Sequence, residues 1–140
     1  MLNIETIREY CLGKEAVTES FPFNNDTLVF KVAGKMFALL SLTGNFELSL
    51  KCNPEKAIEL REQFTEITPG YHMNKTHWNT LQLNGQLTEK LVLELITHSY
   101  KVVIQGLPLK VRKELGIMSL FGPNPGLMLI LNYDANIQLF

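Results

Sequence analysis

The feature that most constrains the fold is a regular alternation of apolar and polar residues between positions 27 and 52. The segment TLVFKVAGKMFALLSL (27–42) alternates on both sides of Ala33-Gly34, and FELSLKC (46–52) alternates again after the sequence TGN. Side chains along a strand point to opposite faces in turn, and β-branched and aromatic residues favour strands. The pattern therefore predicts three antiparallel strands joined by two tight turns.

Three segments outside these strands have the caps and the apolar spacing of helices. Asn3, Asn53 and Thr88 are the expected N-caps, and each precedes apolar residues that recur every three or four positions. We expect the second helix to end before Pro69 and the third before Gly106, because proline and glycine terminate helices.

The segments between the helices complete the expected order of elements. Residues 13–26 contain glycine, proline and a cluster of asparagines, which predict a loop, whereas residues 77–83 alternate like a strand. Residues 108–115 predict a short helix. With 140 residues, the polypeptide is long enough for one domain with a single core.

Composition excludes several classes of protein. The net charge is −1, which argues against a protein that binds nucleic acid through an overall basic surplus. No apolar run approaches the ~20 residues that a bilayer span needs, and the first residues lack a signal-peptide layout. Cys11 and Cys52 lie far apart, which suits two buried thiols in a reducing compartment. We therefore expect a cytoplasmic protein with no membrane segment.

The last 25 residues differ in composition from the rest of the chain. Residues 116–140 contain no lysine or arginine, and Asp134 is their only charged residue. Such an apolar segment carries a risk of aggregation if it stays in water. We expect it to pack on the sheet of its own chain, to exchange with a second copy, or to add to the sheet edge of a partner.

The stretch PGYHMNKTHWNT (69–80) concentrates histidine, lysine and aromatic residues, which are side chains that build metal, catalytic and binding sites. His72 and His77 are five residues apart, with no cysteine or carboxylate nearby in sequence, which is a poor metal-ligand pattern. A catalytic site would need Tyr71, His77 or the pair Ser99 and His98 to converge in space, and the sequence shows no nucleophile motif. We therefore expect the protein to bind no metal or cofactor and to catalyse no reaction.

Two interpretations of Trp78 remain open. In the first, the indole fills the space between the Pro69-Gly70 turn and the sheet, since tryptophan is a frequent packing residue. In the second, Tyr71, Lys75, His77 and Trp78 are partly exposed beside the strand lysines and form a binding surface. His98, late in the third helix, is expected to interact with that helix end.

Charge is unevenly distributed along the chain. Residues 27–52 contain three lysines and one glutamate, whereas residues 1–26 contain two basic and five acidic residues. The strands are therefore mildly basic. Lys31 and Lys35 flank one hairpin turn, where they either contact phosphates or only keep an exposed sheet soluble.

Five runs of sequence, taken in order, resemble the MmcQ/YjbR family over about residues 1–115. They are FPFNNDTLVFKVAGKMFALLSL, LSLKCNPEKAIELREQF, PGYHMNKTHWNTLQL, ELITHSYKVV and GLP. The resemblance implies an α+β fold of the CyaY-like (YjbR-like) type, with helices packed on one face of a twisted antiparallel sheet. It also implies DNA binding, which is often attributed to family members through a double-wing arrangement. Residues 116–140 depart from the family pattern, so we expect a C-terminal extension after the domain.

These observations predict a small protein without catalytic activity that binds DNA weakly and in a salt-sensitive way. The predicted nucleic-acid-binding residues are Lys31, Lys35, Lys51, Lys75, His77 and Trp78. The lysines would contact phosphates, and the two ring side chains would add stacking or hydrogen bonds. The alternative is a protein-interaction module or a homodimer that uses the apolar residues 116–140.

Overall fold

The computed structural model describes residues 2–70 and 73–116. The expectations placed on Tyr71, His72 and residues 117–140 lie outside the described residues. The elements, in chain order, are α1 (Ile4–Leu12), β1 (Val17–Ser20), β2 (Thr27–Val32), β3 (Lys35–Ser41), β4 (Glu47–Lys51), α2 (Pro54–Gln63), β5 (Ile67–Pro69), β6 (Trp78–Gln82), α3 (Glu89–Gln105) and α4 (Leu109–Glu114).

The strands form one antiparallel sheet, in the order β1-β2-β3-β4-β6-β5. The long helix α3 packs against β2, β3 and β4, while α1 contacts β1 and α3, and α2 contacts β5. The predicted α+β class, with helices on one face of an antiparallel sheet, is confirmed.

The predicted caps begin all three main helices. Asn3 Oδ1 accepts a hydrogen bond from the Thr6 N–H at 2.8 Å, Asn53 Oδ1 accepts from Glu55, and Thr88 Oγ1 accepts from Leu91. Each cap satisfies a backbone donor that the first turn of a helix leaves without a partner.

Two strands correct the sequence-based expectations. Residues 13–26 were expected to be a loop, but Val17–Ser20 pair with β2 as an edge strand. The second helix was expected to continue towards Pro69, but it ends at Gln63 and Phe64 is extended. Ile67 then pairs with Leu81 in β6 and is buried. Both strands are short, so pairing with a neighbour decides their conformation more than local pattern does.

The core lies between the sheet and the helices. The ring of Phe37 meets Tyr100 of α3 edge-on, with centroids 5.4 Å apart, and it also lies 6.5 Å from the ring of Phe30. A register shift between β2 and β3 leaves Phe37 as an extra residue, and its side chain points to the helices. Both cysteines are buried, as predicted.

Within the described residues, no helix combines the length and the apolar character that crossing a bilayer requires.

Candidate binding surface

The strand register divides the sheet into two faces. Residues such as Leu40, Leu48 and Leu81 are fully or almost fully buried under the helices. The residues that alternate with them point to the other side, which we call the open face. Its residues are Thr18, Ser20, Thr27, Val29, Lys31, Met36, Leu39, Ser41, Glu47, Ser49, Lys51, Thr68, Trp78, Thr80 and Gln82.

Antiparallel pairing brings the predicted binding residues to one end of the sheet. Strands β2 and β4 end where β3 and β6 begin, so Lys51 lies opposite Trp78 and Lys31 lies opposite Met36. We call this region the basic end. It comprises Lys31, Lys35, Lys51, Lys75, His77 and Trp78.

The residues of the basic end differ in exposure. Lys35 and Lys75 are exposed, and Lys31, Lys51 and His77 are partly buried. Trp78, in contrast, is only 7% exposed. The lysines are therefore accessible to solvent, whereas the indole offers little surface to a ligand.

The backbone of Trp78 is in close contact with Gly70, eight residues earlier in the chain. The Gly70 N–H donates to the Trp78 carbonyl at 3.0 Å, and a β-carbon on Gly70 would lie only 3.0 Å from the Cβ of Trp78. The binding interpretation needed a partly exposed indole, so the observed burial favours the packing interpretation for this residue. The prediction that Trp78 belongs to a binding surface remains untested, and the burial of its side chain does not support it.

Arg61 of α2 fixes the loop that carries two predicted binding residues. Its Nε donates to Asn79 Oδ1 at 2.6 Å, and one terminal nitrogen donates to the carbonyls of Lys75 and Trp78. Asn79 is itself buried and donates to the Ala57 carbonyl. No local sequence pattern predicts this role of Arg61, because its partners come from a distant strand and loop.

His98 and Ser99 bind the backbone beside the basic end. The Asn53 N–H donates to His98 Nε2 at 3.2 Å, and the Lys51 N–H donates to Ser99 Oγ at 2.9 Å. Ser99 Oγ also donates to the Phe37 carbonyl. His98 lies inside α3 and is 2% exposed, so the prediction of a helix-end role was wrong.

Burial sets the protonation of the inner groups. It lowers the pKa of His98 to about 4, with smaller contributions from the charges of Lys56 and Lys101, so the imidazole is neutral at pH 7. Burial also raises the pKa of Cys11 to about 12 and that of Cys52 to about 11, so both thiols stay protonated. Among residues 2–70 and 73–116, no three histidine, cysteine or acidic side chains could hold a metal ion together.

A concave region occupies the centre of the open face and the end opposite the lysines. We call it the sheet groove; its volume is about 780 Å³. Its lining residues are Phe23, Asn24, Thr27, Met36, Leu39, Ser41, Glu47, Ser49, Thr68, Met73, Thr80 and Gln82. The open face therefore combines Lys31 and Lys51 at one end with a largely uncharged groove.

Comparison with known proteins identifies what the chain resembles. The YjbR family model matches residues 12–102. The uncharacterised protein YbdF of Escherichia coli O157:H7 is 36% identical over 104 residues, which is 74% of this chain and 85% of YbdF. The uncharacterised protein YjbR of Escherichia coli K12 is 32% identical over 113 residues, which is 80% of this chain and 96% of YjbR.

Two solved structures share the fold. The crystal structure of the Deinococcus radiodurans protein DR2400, a DUF419 domain, superimposes with a TM-score of 0.78 and 41% identity, over 83% of this chain and 89% of that protein. A crystal structure of a Pseudomonas syringae protein gives a TM-score of 0.63 and 31% identity, over 72% of this chain and 98% of that protein.

Proposed function

The chain belongs to the YjbR family, and on that premise we propose that it is a non-catalytic cytoplasmic protein that binds DNA weakly through the basic end. The lysines contact backbone phosphates, and His77 adds a hydrogen bond at their edge. Phosphate contacts position a protein on DNA without reading its sequence. The proposed activity is therefore weak, salt-sensitive and independent of sequence.

The observation that carries this proposal is the shared position of the lysines. Lys31 and Lys51 point from the same face at the same end of the sheet, two strands apart. At about 4.8 Å between strands, their backbones are about 10 Å apart. Lys35 begins the adjacent strand at the hairpin turn and is exposed. The ammonium groups of Lys31 and Lys51 can thus meet one phosphate backbone from the open face, and Lys35 is exposed at the turn beside them.

The charge on the rest of the protein sets the expected affinity for DNA. The groove end of the open face carries Glu47, and the whole chain has a net charge of −1. Because long-range attraction to DNA is then small, binding depends on the few local phosphate contacts. Four such contacts correspond to a slope of about −3.6 in a plot of log affinity against log salt.

The test is binding of a DNA duplex at about 50 and 200 mM salt, the range over which phosphate contacts weaken strongly. The double variant Lys31→Glu, Lys35→Glu is expected to bind more weakly, with a salt slope about half that of the parent, because two contacts are replaced by repulsion. Equal binding by the double variant and the parent would overturn the proposal.

A matched control separates local contact from total charge. Lys90 is exposed in the first turn of α3, at the helix end away from Gln105. Gln105 lines a cavity together with Lys51 and His77, and a 17-residue helix is about 25 Å long. Lys35→Glu and Lys90→Glu change the net charge equally. We expect only Lys35→Glu to weaken duplex binding.

Protein–protein interaction is the second candidate function. Phe23, which lines the sheet groove, is 63% exposed, and Phe21, two residues before it, is 47% exposed. Large exposed apolar residues frequently mark interaction surfaces. Measuring the particle mass of the full chain over a range of concentrations tests a homodimer. A monomer at all concentrations would exclude a homodimer over that range.

A further inference from the structure

The sheet groove presents apolar side chains among polar ones. Met36, Leu39 and Met73 line it, and Phe23 stands exposed at its margin. A volume of about 780 Å³ falls within the range of sites that enclose a ligand.

Several polar side chains of the groove already have hydrogen-bond partners within the protein. Gln82 Nε2 donates to Glu47 Oε1 at 2.8 Å, and the hydroxyls of Ser49 and Thr80 are hydrogen-bonded at 3.0 Å. Ser41 Oγ donates to the Thr43 carbonyl. Covering these groups with an apolar side chain therefore removes no hydrogen bond between them.

We propose that residues 117–140 of the same chain occupy the sheet groove. This segment follows α4 and has no lysine or arginine; its most apolar run, LMLIL, covers 127–131. Among the groove residues, Glu47 is the one with a formal charge. The groove thus carries one charged residue, and the segment carries one, Asp134, which lies outside the LMLIL run. When the LMLIL run meets the apolar side chains of the groove, both lose contact with water, which is favourable.

The segment is long enough to reach the groove. It contains 24 residues after Gly116, which span at most about 80 Å when extended. The six-stranded sheet is about 24 Å wide at 4.8 Å per strand, and a domain of this size has a radius of gyration of about 13 Å. The segment can therefore pass around an edge of the sheet and still cover the groove.

Attachment to the same chain favours this occupant over a second copy. A tethered segment is present at an effective concentration in the millimolar range, which a second molecule reaches only at very high protein concentration. Met36 lies both in the groove and opposite Lys31 of the basic end. The segment would thus bind beside the proposed DNA surface, although its binding does not require DNA.

The experiment places a photo-cross-linking amino acid at position 39 in the full chain. Leu39 is partly buried in the groove, so the probe replaces a side chain at the proposed contact. After irradiation of a mixture of light and isotopically heavy chains, peptides are identified by mass spectrometry. We expect links from position 39 to residues 117–140 within chains of one isotope.

Each other result contradicts the proposal. Links between light and heavy chains would identify a second copy as the occupant, and absence of links to 117–140 would show that the segment does not enter the groove. A probe at position 36 repeats the test if the first variant fails to fold. A probe at Ile58, exposed on α2, serves as the control and should give no such link.

A matched pair of substitutions in the segment tests the apolar basis of binding. Leu129→Asp places a carboxylate within the LMLIL run and is expected to abolish the cross-link from position 39. Asn136→Asp adds the same charge at a polar position and is expected to retain it. Equal cross-linking by both variants would contradict the proposal. Because neither readout involves DNA, failure here is distinguishable from failure of duplex binding.

Discussion

The two faces of the sheet come from the same strands but carry different chemistry. On the helix face, Phe37 and Tyr100 are buried and the polar groups of His98 and Ser99 are hydrogen-bonded to backbone. On the open face, lysines cluster at one end and the sheet groove occupies the rest. From this difference we expect substitutions on the helix face to cost more stability than substitutions on the open face.

The largest difference in stability is expected between substitutions of two neighbouring residues whose side chains lie on opposite faces of the sheet. Phe37→Ala removes a fully buried ring from between Phe30 and Tyr100, so we expect a loss of about 3–5 kcal/mol in the free energy of unfolding. Met36→Ala, on the open face, is expected to cost under about 1 kcal/mol. Denaturant unfolding measures both. Similar losses of unfolding free energy in the two variants would show that the two faces do not differ in their contribution to stability.

The next effect is a dependence of stability on pH through His98. Its pKa is about 4 in the folded state, below the ordinary histidine value of 6.5, because burial disfavours the imidazolium. Between these pH values the unfolded state binds more protons, so the free energy of unfolding falls as pH drops from 6.5 to 4 and this contribution levels off below 4. The expected loss is on the order of 3 kcal/mol.

The variant His98→Gln isolates this contribution. A glutamine oxygen can still accept the hydrogen bond from the Asn53 N–H, but the side chain does not titrate. Unfolding measured at several pH values should show a smaller loss between pH 6.5 and 4 in the variant than in the parent. An identical pH dependence would show that His98 does not carry the effect.

A third comparison uses serine-to-alanine substitutions on the two sides of the sheet: one in α3, which packs on the helix face, and one on the open face. Ser99→Ala leaves the Lys51 N–H and the Phe37 carbonyl without their side-chain partner, which is expected to cost about 1–3 kcal/mol. Ser49→Ala removes a hydroxyl pair with Thr80 that is partly buried on the open face, and about 0.5 kcal/mol is expected. Thermal or denaturant unfolding of both variants decides whether the faces differ as proposed.

Local patterns in the sequence were sufficient for most elements. The alternation in 27–52, the caps at Asn3, Asn53 and Thr88, and the turn at Ala33-Gly34 all correspond to observed boundaries. These features depend on neighbours within a few residues, which is why a single sequence reveals them. The short edge strands β1 and β5 were missed because their conformation depends on pairing with β2 and β6.

The binding surface was only partly accessible to sequence reasoning. The lysines were recognised from the charge distribution, but their common position at one end follows from the pairing of β2, β3, β4 and β6. The burial of Trp78 depends on the approach of Gly70, and the role of Arg61 depends on a strand 18 residues away. No local pattern reports such contacts.

By itself, the sequence determined which segments become strands and helices and which side chains carry charge, because hydrophobic periodicity and capping act over a few residues. The tertiary structure decided which charges share a surface, which ring is buried and where a groove is left. These properties arise when residues distant in the chain are brought together, since strand register and helix packing set the neighbours of each side chain.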